Sequence, residues 1–538
     1  MVFARRSTTL LAAIIASCAM VLSLTACTSD NKTVVDGQTT VTSNSAGGVA
    51  VFTPSDGITL NQQMPLNKWA KLVPDLTKAL VDAGFKKGDI NHTTSDSLDK
   101  QSRAIQDFVV DHLSNNTTDD SGIAIAPDNM TLLVAPVVEA DASTRQYGDY
   151  VSQNLSTNDV TDEGATSDGE SSEDDSSNTE SDSTASDEQA QAVDRLVSSL
   201  KLAKESGMHV VLLGNSIEGY KPDAFVKFSD AQTIGKLQAE KMVSKLKLDK
   251  ASKDNPKYIE VLLPYTAMDE KGNANDSTFA QEAFRGIWQV LGSYYQKGVV
   301  ESPSGTLDGK STENDWQAVA YDAAKEGSTA KVLDKRLAKT DGQSTLTRID
   351  GIITMNDYIA SEVVKELDDL GYTGSAADIN PQITISGIVG NITGKKDLSR
   401  DAVPDPIKSP ENDNANDSSS SDDDADEDTS ASDKDRDSQW PLVTGYGAYV
   451  SNIPSIVNDK QWMTGMEDRQ TIATDIAQAC AKLNKDEALN SMPSIRNSEV
   501  GGVKKIPTIS EPLLAVSASN LKSALIDPGY ISLADAGL

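Results

Sequence analysis

The sequence predicts an α/β protein with two doubly wound parallel-sheet lobes joined by a hinge. Short apolar strands, such as 49–52 and 210–213, alternate with amphipathic helices of a dozen residues or more, which is the pattern of βαβ units. The alternation forms two successive series, each long enough for its own sheet. Ligands of such sheets bind beyond the carboxyl ends of the strands, so we expect the loops after the strands to carry the function.

The elements of the first series precede residue 220, and the second series follows. Glycines after helical patterns, as at Gly84, Gly207 and Gly371, predict where helices end. In the first series we predict strands 49–52, 89–92, 132–136 and 210–213, with helices from Trp69, over 105–113 and over 191–204. In the second we predict strands 225–228, 258–263, 349–354, 383–386 and 442–444, with helices 231–246, 277–294, 316–334 and 356–370.

These elements divide the chain into five parts. We predict a signal peptide over 1–26, a flexible tether over 27–46, lobe 1 over 47–220, lobe 2 over 221–460 and a return segment over 461–538, mainly in lobe 1. Each lobe carries an acidic insertion, at 156–189 and at 409–438. Both insertions are rich in Ser and Asp and poor in apolar residues, so we expect them to be disordered.

The N-terminus predicts the compartment. Arg5 and Arg6 precede a short apolar stretch, Leu10–Leu24, that is followed by Thr25-Ala26-Cys27. This resembles a bacterial lipobox, which implies cleavage before Cys27 and a lipid on its thiol. We expect an extracytoplasmic protein that contacts the cell membrane only through that lipid. The alternative is an ordinary signal peptide with a coincidental cysteine.

Composition excludes several other classes. The 538 residues carry a formal net charge of −33 and only 5% aromatic residues. This charge argues against sequence-independent binding of nucleic acid, which needs clustered Lys and Arg. Once Cys18 leaves with the signal and Cys27 is acylated, Cys480 remains alone, and its helical surroundings predict a core thiol. No internal disulfide, metal site or cofactor is expected.

Several motifs occur in a distinctive order along residues 48–538. They are Lys68-Trp69, Phe228-Ser229-Asp230, Asn275-Asp276-Ser277 before Phe284-Arg285-Gly286, Trp316, Asp350-Gly351-Ile352-Ile353-Thr354-Met355-Asn356-Asp357, Val443-Thr444-Gly445-Tyr446 and Ile526-Asp527-Pro528-Gly529-Tyr530. In this order the chain resembles the type I periplasmic sugar-binding proteins, specifically their xylose and multiple-monosaccharide branch. The resemblance implies a monomeric, non-enzymatic, solute-binding lipoprotein that presents a small ligand, a carbohydrate, to an ABC permease.

The resemblance also implies a ligand site in the cleft between the lobes. In a chain with few aromatic residues, Trp69 and Trp316 stand at loop-to-helix junctions, and we expect them to sandwich a sugar ring. Asn356 and Asp357 are expected to bind hydroxyl groups, although either residue also suits a helix N-terminus. The remaining candidates are polar or aromatic residues of matching loops: Asp230, Asp276, Lys68, Asn215 and Tyr446.

Three departures from the family pattern make this cleft less polar. Lys68 stands where the family has Arg, Asn215-Ser216 where it has Asp-Arg, and Gly447 where it has Asp. Each exchange removes a charge-assisted hydrogen bond of roughly 1.5–3 kcal/mol. An oligosaccharide or glycoside therefore fits better than simple xylose or galactose. The same departures keep open a second function, a surface sensor or adhesin with this fold and no role in transport.

Overall fold

The computed structural model describes residues 34–35, 38–39, 46–55, 65–115, 125–138, 146–156, 180–268, 275–323, 325, 327–338, 346–376 and 438–538. The predicted signal peptide, Cys27, strand 383–386 and nearly all of the insertion at 409–438 lie outside these residues. The chain forms two units, residues 1–44 and residues 45–538.

The strands of the described residues are short and mostly parallel. They are β1 (Val34–Val35), β2 (Gln38–Thr39), β3 (Gly48–Pro54), β4 (Ile90–Ser95), β5 (Met130–Val134), β6 (Asn154–Leu155), β7 (His209–Leu213), β8 (Ser216–Ile217), β9 (Ala224–Lys227), β10 (Lys257–Val261), β11 (Leu263–Pro264), β12 (Val300–Glu301), β13 (Ala320–Tyr321), β14 (Gly351–Ile353), β15 (Leu442–Thr444), β16 (Met463–Met466), β17 (Ile495–Val500), β18 (Val503–Ser510) and β19 (Leu514–Ser517).

The helices of the same residues vary more in length. They are α1 (Trp69–Asp82), α2 (Leu98–Asn115), α3 (Glu180–Glu205), α4 (Ala231–Leu246), α5 (Thr278–Gln296), α6 (Trp316–Val319), α7 (Ser328–Arg336), α8 (Asp357–Leu370), α9 (Ile453–Val457) and α10 (Arg469–Leu483). Within the described ranges, no helix combines the length and the apolar character that crossing a bilayer requires.

Lobe 1 is built on a seven-stranded sheet with the order β17-β18-β9-β7-β5-β3-β4. Every neighbouring pair is parallel except β17 and β18. Alternate residues of a strand point to opposite faces, so Leu133 of β5 packs with α1 and α10 while Leu132 packs with α2 and α3. Helices therefore cover both faces, as the prediction of a doubly wound sheet requires.

Lobe 2 repeats this arrangement on a smaller sheet. Four parallel strands have the order β12-β10-β14-β15, and the antiparallel pair β16 and β19 adjoins them through a bridge between Tyr446 and Gly465. In β14, Ile353 packs with α4 and α5, while Ile352 packs with α7 and α8. The predicted fold class, two doubly wound parallel-sheet lobes, is confirmed.

The chain crosses between the lobes three times. The crossings are 228–230 between β9 and α4, 467–468 between β16 and α10, and 511–513 between β18 and β19. We call these three segments the hinge. Strand β9 belongs to the lobe 1 sheet, beyond the predicted boundary at residue 220. The stretch after β19 packs with Ile453 and Met466 of lobe 2, although the return segment was predicted to lie mainly in lobe 1. For both reasons we propose to place the lobe boundaries at the hinge.

One local prediction differs from the structure. The predicted helix 316–334 is instead α6, β13 and α7, since Ala320 and Tyr321 pair with β11.

Two elements lie at predicted non-globular stretches. Val34–Val35 and Gln38–Thr39 pair antiparallel within the predicted tether, on either side of Asp36-Gly37, a favoured hairpin sequence. Helix α3 begins at Glu180, in the last part of the insertion predicted over 156–189, and residues 157–179 lie outside the described residues. Acidic residues near a helix N-terminus favour such an early start of the helix.

Candidate ligand site between the two lobes

The loops at the carboxyl ends of the strands of both sheets meet at the hinge. Within it, the backbone N–H of Ser229 donates to Glu467 Oε1 at 2.6 Å, which joins the first crossing to the second. The Ser229 hydroxyl also lies 2.5 Å from the Tyr446 hydroxyl of the loop after β15. The first two crossings of the hinge are therefore a hydrogen-bonded unit that both lobes share.

A stretch of lobe 1 crosses this region and contacts both lobes. We call Gln146–Gln153, which lies between β5 and β6, the interlobe segment. Its two tyrosines, Tyr147 and Tyr150, are each only 1% exposed. Tyr150 stacks on Phe228 at 4.8 Å between ring centroids, whereas Tyr147 packs against Phe279 of lobe 2 at 4.6 Å. The segment thus places one ring in the core of each lobe.

The polar contacts of the interlobe segment also reach lobe 2. Asn356 Nδ2 donates to the side-chain oxygen of Gln146 at 3.1 Å. The Tyr449 hydroxyl donates to the Gln146 backbone carbonyl at 2.7 Å. Both donors belong to loops that follow parallel strands, β14 and β15. These loops therefore aim hydrogen-bond donors into the space between the lobes.

On the lobe 1 side, the segment is held by an ion pair and by an amide. Lys68 Nζ lies 2.7 Å from Asp149 Oδ1, and both side chains are largely buried. The backbone N–H of Trp69 donates to the other oxygen of Asp149 at 3.1 Å. Asn215 Oδ1 accepts from the Gln153 backbone at 3.0 Å. Lys68 and Asn215, both predicted to bind ligand, thus bind a part of the chain itself.

The two predicted stacking residues lie in different cores. Trp69 is 2% exposed and meets Tyr150 and Phe228 edge to face. Trp316 is 9% exposed at the start of α6 and meets Tyr265 edge to face at 5.1 Å. Among the described residues, the two indoles have no ring partner in common. The expected sandwich is therefore not formed in this structure, and the ligand-binding role of each indole remains a prediction.

Asp357 is the most deeply engaged of the predicted residues. Its carboxylate is fully buried and accepts from Tyr449 N at 2.9 Å, from Thr464 Oγ1 at 2.8 Å and from Gln461 Nε2 at 2.7 Å. Burial raises the pKa of Asp357 to about 6, although these hydrogen bonds oppose the shift. The side chain therefore ties α8 to the loop after β15 and to β16.

The other predicted polar residues stabilise helix starts or the hinge. Asn356 caps α8 by accepting from Ile359 N, while its amide faces Gln146. Asp230 caps α4 by accepting from Thr233 N, and Asp276, just before α5, accepts from Thr278 N, the first residue of that helix. Tyr446 is fully buried against Ser229 and Tyr147. Asn356 and Tyr446 thus lie at the interlobe segment, whereas Asp230 and Asp276 serve local structure here.

Sequence reasoning missed Glu467, a fully buried carboxyl in the hinge. It accepts from Ser229 N, and its own backbone N–H lies 3.4 Å from Asn67 Oδ1. Burial raises the pKa of Glu467 to about 7, from an ordinary value of 4.5. Nothing in the local sequence distinguishes this residue from the many exposed acidic residues, because its burial results from the crossing of three distant segments.

The raised pKa predicts a pH dependence of stability. The folded protein keeps the Glu467 proton to higher pH than the unfolded chain does, so the free energy of unfolding falls as the pH rises through this window. Between pH 6 and pH 8 this group alone contributes a loss of about 1 kcal/mol. Glu467→Gln is expected to flatten the profile in urea denaturation, and Glu301→Gln, at an exposed site, to leave it unchanged. Equal slopes in all three proteins would contradict this assignment.

The interlobe segment was also missed, although the sequence carried a signal. Gln146-Tyr147-Gly148-Asp149-Tyr150 places two tyrosines and a glycine in a polar stretch of an aromatic-poor chain. Gly148 has a φ of +98°, and a β-carbon there would lie 2.6 Å from the Asn67 carbonyl oxygen. The glycine thus allows the segment to approach the loop before α1 closely.

Comparisons with known proteins give matches in structure alone. No protein-family model and no curated protein sequence matches the chain. A solute-binding protein of an ABC transporter from Clostridium phytofermentans, with bound beta-D-glucose, is 17% identical with a TM-score of 0.45, covering 91% of this chain and 99% of its own. A carbohydrate transporter solute-binding protein from Chloroflexus aurantiacus, in complex with D-glucose, is 18% identical with a TM-score of 0.43, covering 92% and 98%.

A third match is similar in kind. A periplasmic ribose ABC transporter protein from Conexibacter woesei is 12% identical with a TM-score of 0.42, covering 90% of this chain and 96% of its own. Two of the three proteins hold bound glucose, and the third belongs to a ribose transporter. At these identities and TM-scores they establish neither the family nor the ligand of this chain.

Proposed function

We propose that this protein is an extracytoplasmic solute-binding lipoprotein that holds a sugar or sugar-like ligand between its two lobes and delivers it to an ABC permease. One observation carries the proposal: two α/β lobes are joined by three crossings, and aromatic rings and amides from both lobes meet beside them. A ligand that contacts both lobes favours the closed form, because only that form satisfies both sets of contacts.

The chemistry of the lobe 2 surface suits a sugar. A sugar offers apolar C–H faces and an edge of hydroxyl groups, so its binder needs flat rings and directional hydrogen-bonding groups. Trp316 and the half-buried rings of Tyr265 and Phe279 supply the flat surfaces. The Asn356 amide and the Tyr449 hydroxyl supply donors. This mixture of few charges and many rings favours an oligosaccharide or a glycoside.

The membrane anchor is proposed from the sequence. The basic pair Arg5-Arg6, the short apolar stretch and Thr25-Ala26-Cys27 support lipidation of Cys27. Mass spectrometry of the protein purified from membranes is expected to find an acylated N-terminal Cys27. An N-terminus at another residue would contradict the anchor and leave the solute-binding proposal intact.

Sugar binding is tested by calorimetry on the full chain with D-glucose, D-xylose, maltose and lactose. Trp316→Leu removes a ring that is 9% exposed, and Trp288→Leu removes one that is 8% exposed in the core of the same lobe. We expect saturable binding that weakens about tenfold in Trp316→Leu, because stacking is lost, and is unchanged in Trp288→Leu. Equal weakening in both variants would mean that Trp316 acts through stability alone.

A second function is favoured by the occupied space between the lobes. The interlobe segment already makes contacts that were predicted for a ligand. A protein whose site is filled in this way can act as a surface sensor or adhesin with the same fold, without binding a solute for transport. This alternative predicts no saturable heat with any sugar. Deletion of the gene would then leave sugar uptake by the cells unchanged. If the protein is a transport component, the deletion would abolish uptake.

A further inference from the structure

We propose that the interlobe segment, Gln146–Gln153, is a built-in occupant of the ligand site. It holds the lobes together in the absence of solute, and solute binds by displacing it. The second half of this inference rests on the proposed function, whereas the first half concerns only the ligand-free protein.

The strongest support is a coincidence of contacts. The sequence predicts nine ligand-binding residues, and that prediction does not depend on the interlobe segment. Five of the nine contact that segment: Lys68 and Trp69 through Asp149, Asn215 through Gln153, Asn356 through Gln146, and Tyr446 through the Tyr147 ring. The segment thus occupies the place that the sequence assigns to the solute.

The segment also offers the chemistry of a sugar ligand. Tyr147 presents a flat ring to the Phe279 ring at 4.6 Å and to the Tyr446 ring at 6.3 Å. Gln146 presents two oxygens, which accept from the Asn356 amide and the Tyr449 hydroxyl. A ring face and an adjacent edge of acceptors are what the same lobe 2 groups require of a saccharide.

The fit of the segment is incomplete. Asn67 Nδ2 and Ser152 Oγ are buried without a hydrogen-bond partner. Both residues lie where the segment meets the rest of the chain. The Asn67 carbonyl accepts from Asp149 N of the segment, and the Ser152 N–H donates to the Ser229 carbonyl of the hinge. Buried polar groups without partners are unfavourable. Displacement exposes Ser152 to water, and a hydroxylated solute can offer an acceptor to the Asn67 amide, so such a solute competes well against the segment.

Displacing the segment would leave both sheets intact. Residues 146–153 belong to no strand, and β6, which follows, is fixed to β8 at Asn154 and Leu155. Displacement would break the two backbone hydrogen bonds given above, from Asp149 and Ser152, and a third that the Ser216 N–H donates to the Gln153 carbonyl at 2.9 Å. The segment is therefore a loop whose exchange with a ligand withdraws Tyr150 from the core of lobe 1 but leaves the strand pairings of that lobe in place.

Occupation by the segment lowers the apparent affinity for solute. When only a fraction of the protein has an open site, the apparent dissociation constant rises in inverse proportion to that fraction. A variant that weakens the segment should therefore bind solute more tightly. A residue that merely lined the pocket would have the opposite effect, since its removal would lose ligand contacts.

The first arm of the test uses ligand-free protein and hydrogen exchange. The Leu66 N–H donates to the Gly447 carbonyl of lobe 2 at 2.9 Å, so its exchange reports on contact between the lobes. In Gln146→Ala/Tyr147→Ala we expect Leu66 to exchange at least tenfold faster, while amides of β5 and β10 stay protected and show that the lobes are folded. Tyr294→Ala, which removes a ring on α5 that bonds to Asp249, is the control and should leave Leu66 unchanged. An unchanged Leu66 rate in the double variant would overturn the proposal.

The second arm adds D-glucose, D-xylose, maltose or lactose. We expect the double variant to bind the preferred sugar at least tenfold more tightly than the natural protein. Equal or weaker binding by the variant would overturn the displacement. If no sugar binds either protein while Leu66 still exchanges faster in the variant, the proposed function fails and the lobe-holding role of the segment stands.

Discussion

Asp357→Ala is expected to lower the free energy of unfolding by about 4 kcal/mol, because three buried donors lose their acceptor at once. Tyr449 N, Thr464 Oγ1 and Gln461 Nε2 all donate to this carboxylate. Each buried donor without a partner costs about 1–3 kcal/mol, and some relaxation reduces the total. Chemical denaturation followed by circular dichroism gives the change.

The matched control is Asp230→Ala, at the start of α4. Asp230 also caps a helix and was also predicted to bind ligand, but its carboxylate is partly exposed and pairs with Lys227. Its loss should cost about 1 kcal/mol, as for an ordinary N-cap. If the two variants lose similar amounts of unfolding free energy, the buried hydrogen bonds of Asp357 contribute no more to stability than an ordinary helix cap does.

Arg336→Met is expected to cost about 4 kcal/mol by leaving Glu260 buried without its cation. Glu260 is fully buried and also accepts from Ser302 Oγ at 2.6 Å, while Arg336 lies 3.5 Å from its other oxygen. The guanidinium also donates to the Val319 carbonyl at 2.9 Å. Because Val319 ends α6, this variant should loosen the turn that carries Trp316 as well as lobe 2 itself.

The double variant Glu260→Gln/Arg336→Met separates these contributions. Removing both charges restores a neutral interior, so the double variant should lose less than half of what Arg336→Met loses. Unfolding midpoints in guanidinium chloride measure both. A double variant no more stable than the single one would show that the loss comes from the packing and hydrogen bonds of Arg336, and not from the unpaired charge of Glu260.

The fold could be predicted from sequence because its signals are local. The strands of lobe 1, for example 210–213, are short apolar runs between helices with glycine stops, and these patterns survive in the structure. The prediction of one helix over 316–334 was wrong because two residues within its helical spacing pair with β11. That pairing depends on a partner more than fifty residues away, which periodicity cannot reveal.

The candidate site was predictable only in its location. Asn356, Trp69 and Tyr446 all lie near the hinge, as expected for residues that follow parallel strands. Their partners were not predictable, because the interlobe segment and Glu467 act through contacts between distant parts of the chain. The sequence could not indicate that Asn356 faces Gln146, 210 positions earlier.

Hydrogen exchange of the natural protein with and without a sugar that produces heat in calorimetry tests the central claim most directly. The account predicts that on saturation the Asp149 amide, which donates to the Asn67 carbonyl, exchanges faster as the segment leaves. The Leu66 amide should stay protected, because the solute closes the lobes in its place. If a sugar that produces heat leaves the Asp149 amide unchanged, solute does not bind by displacing the segment.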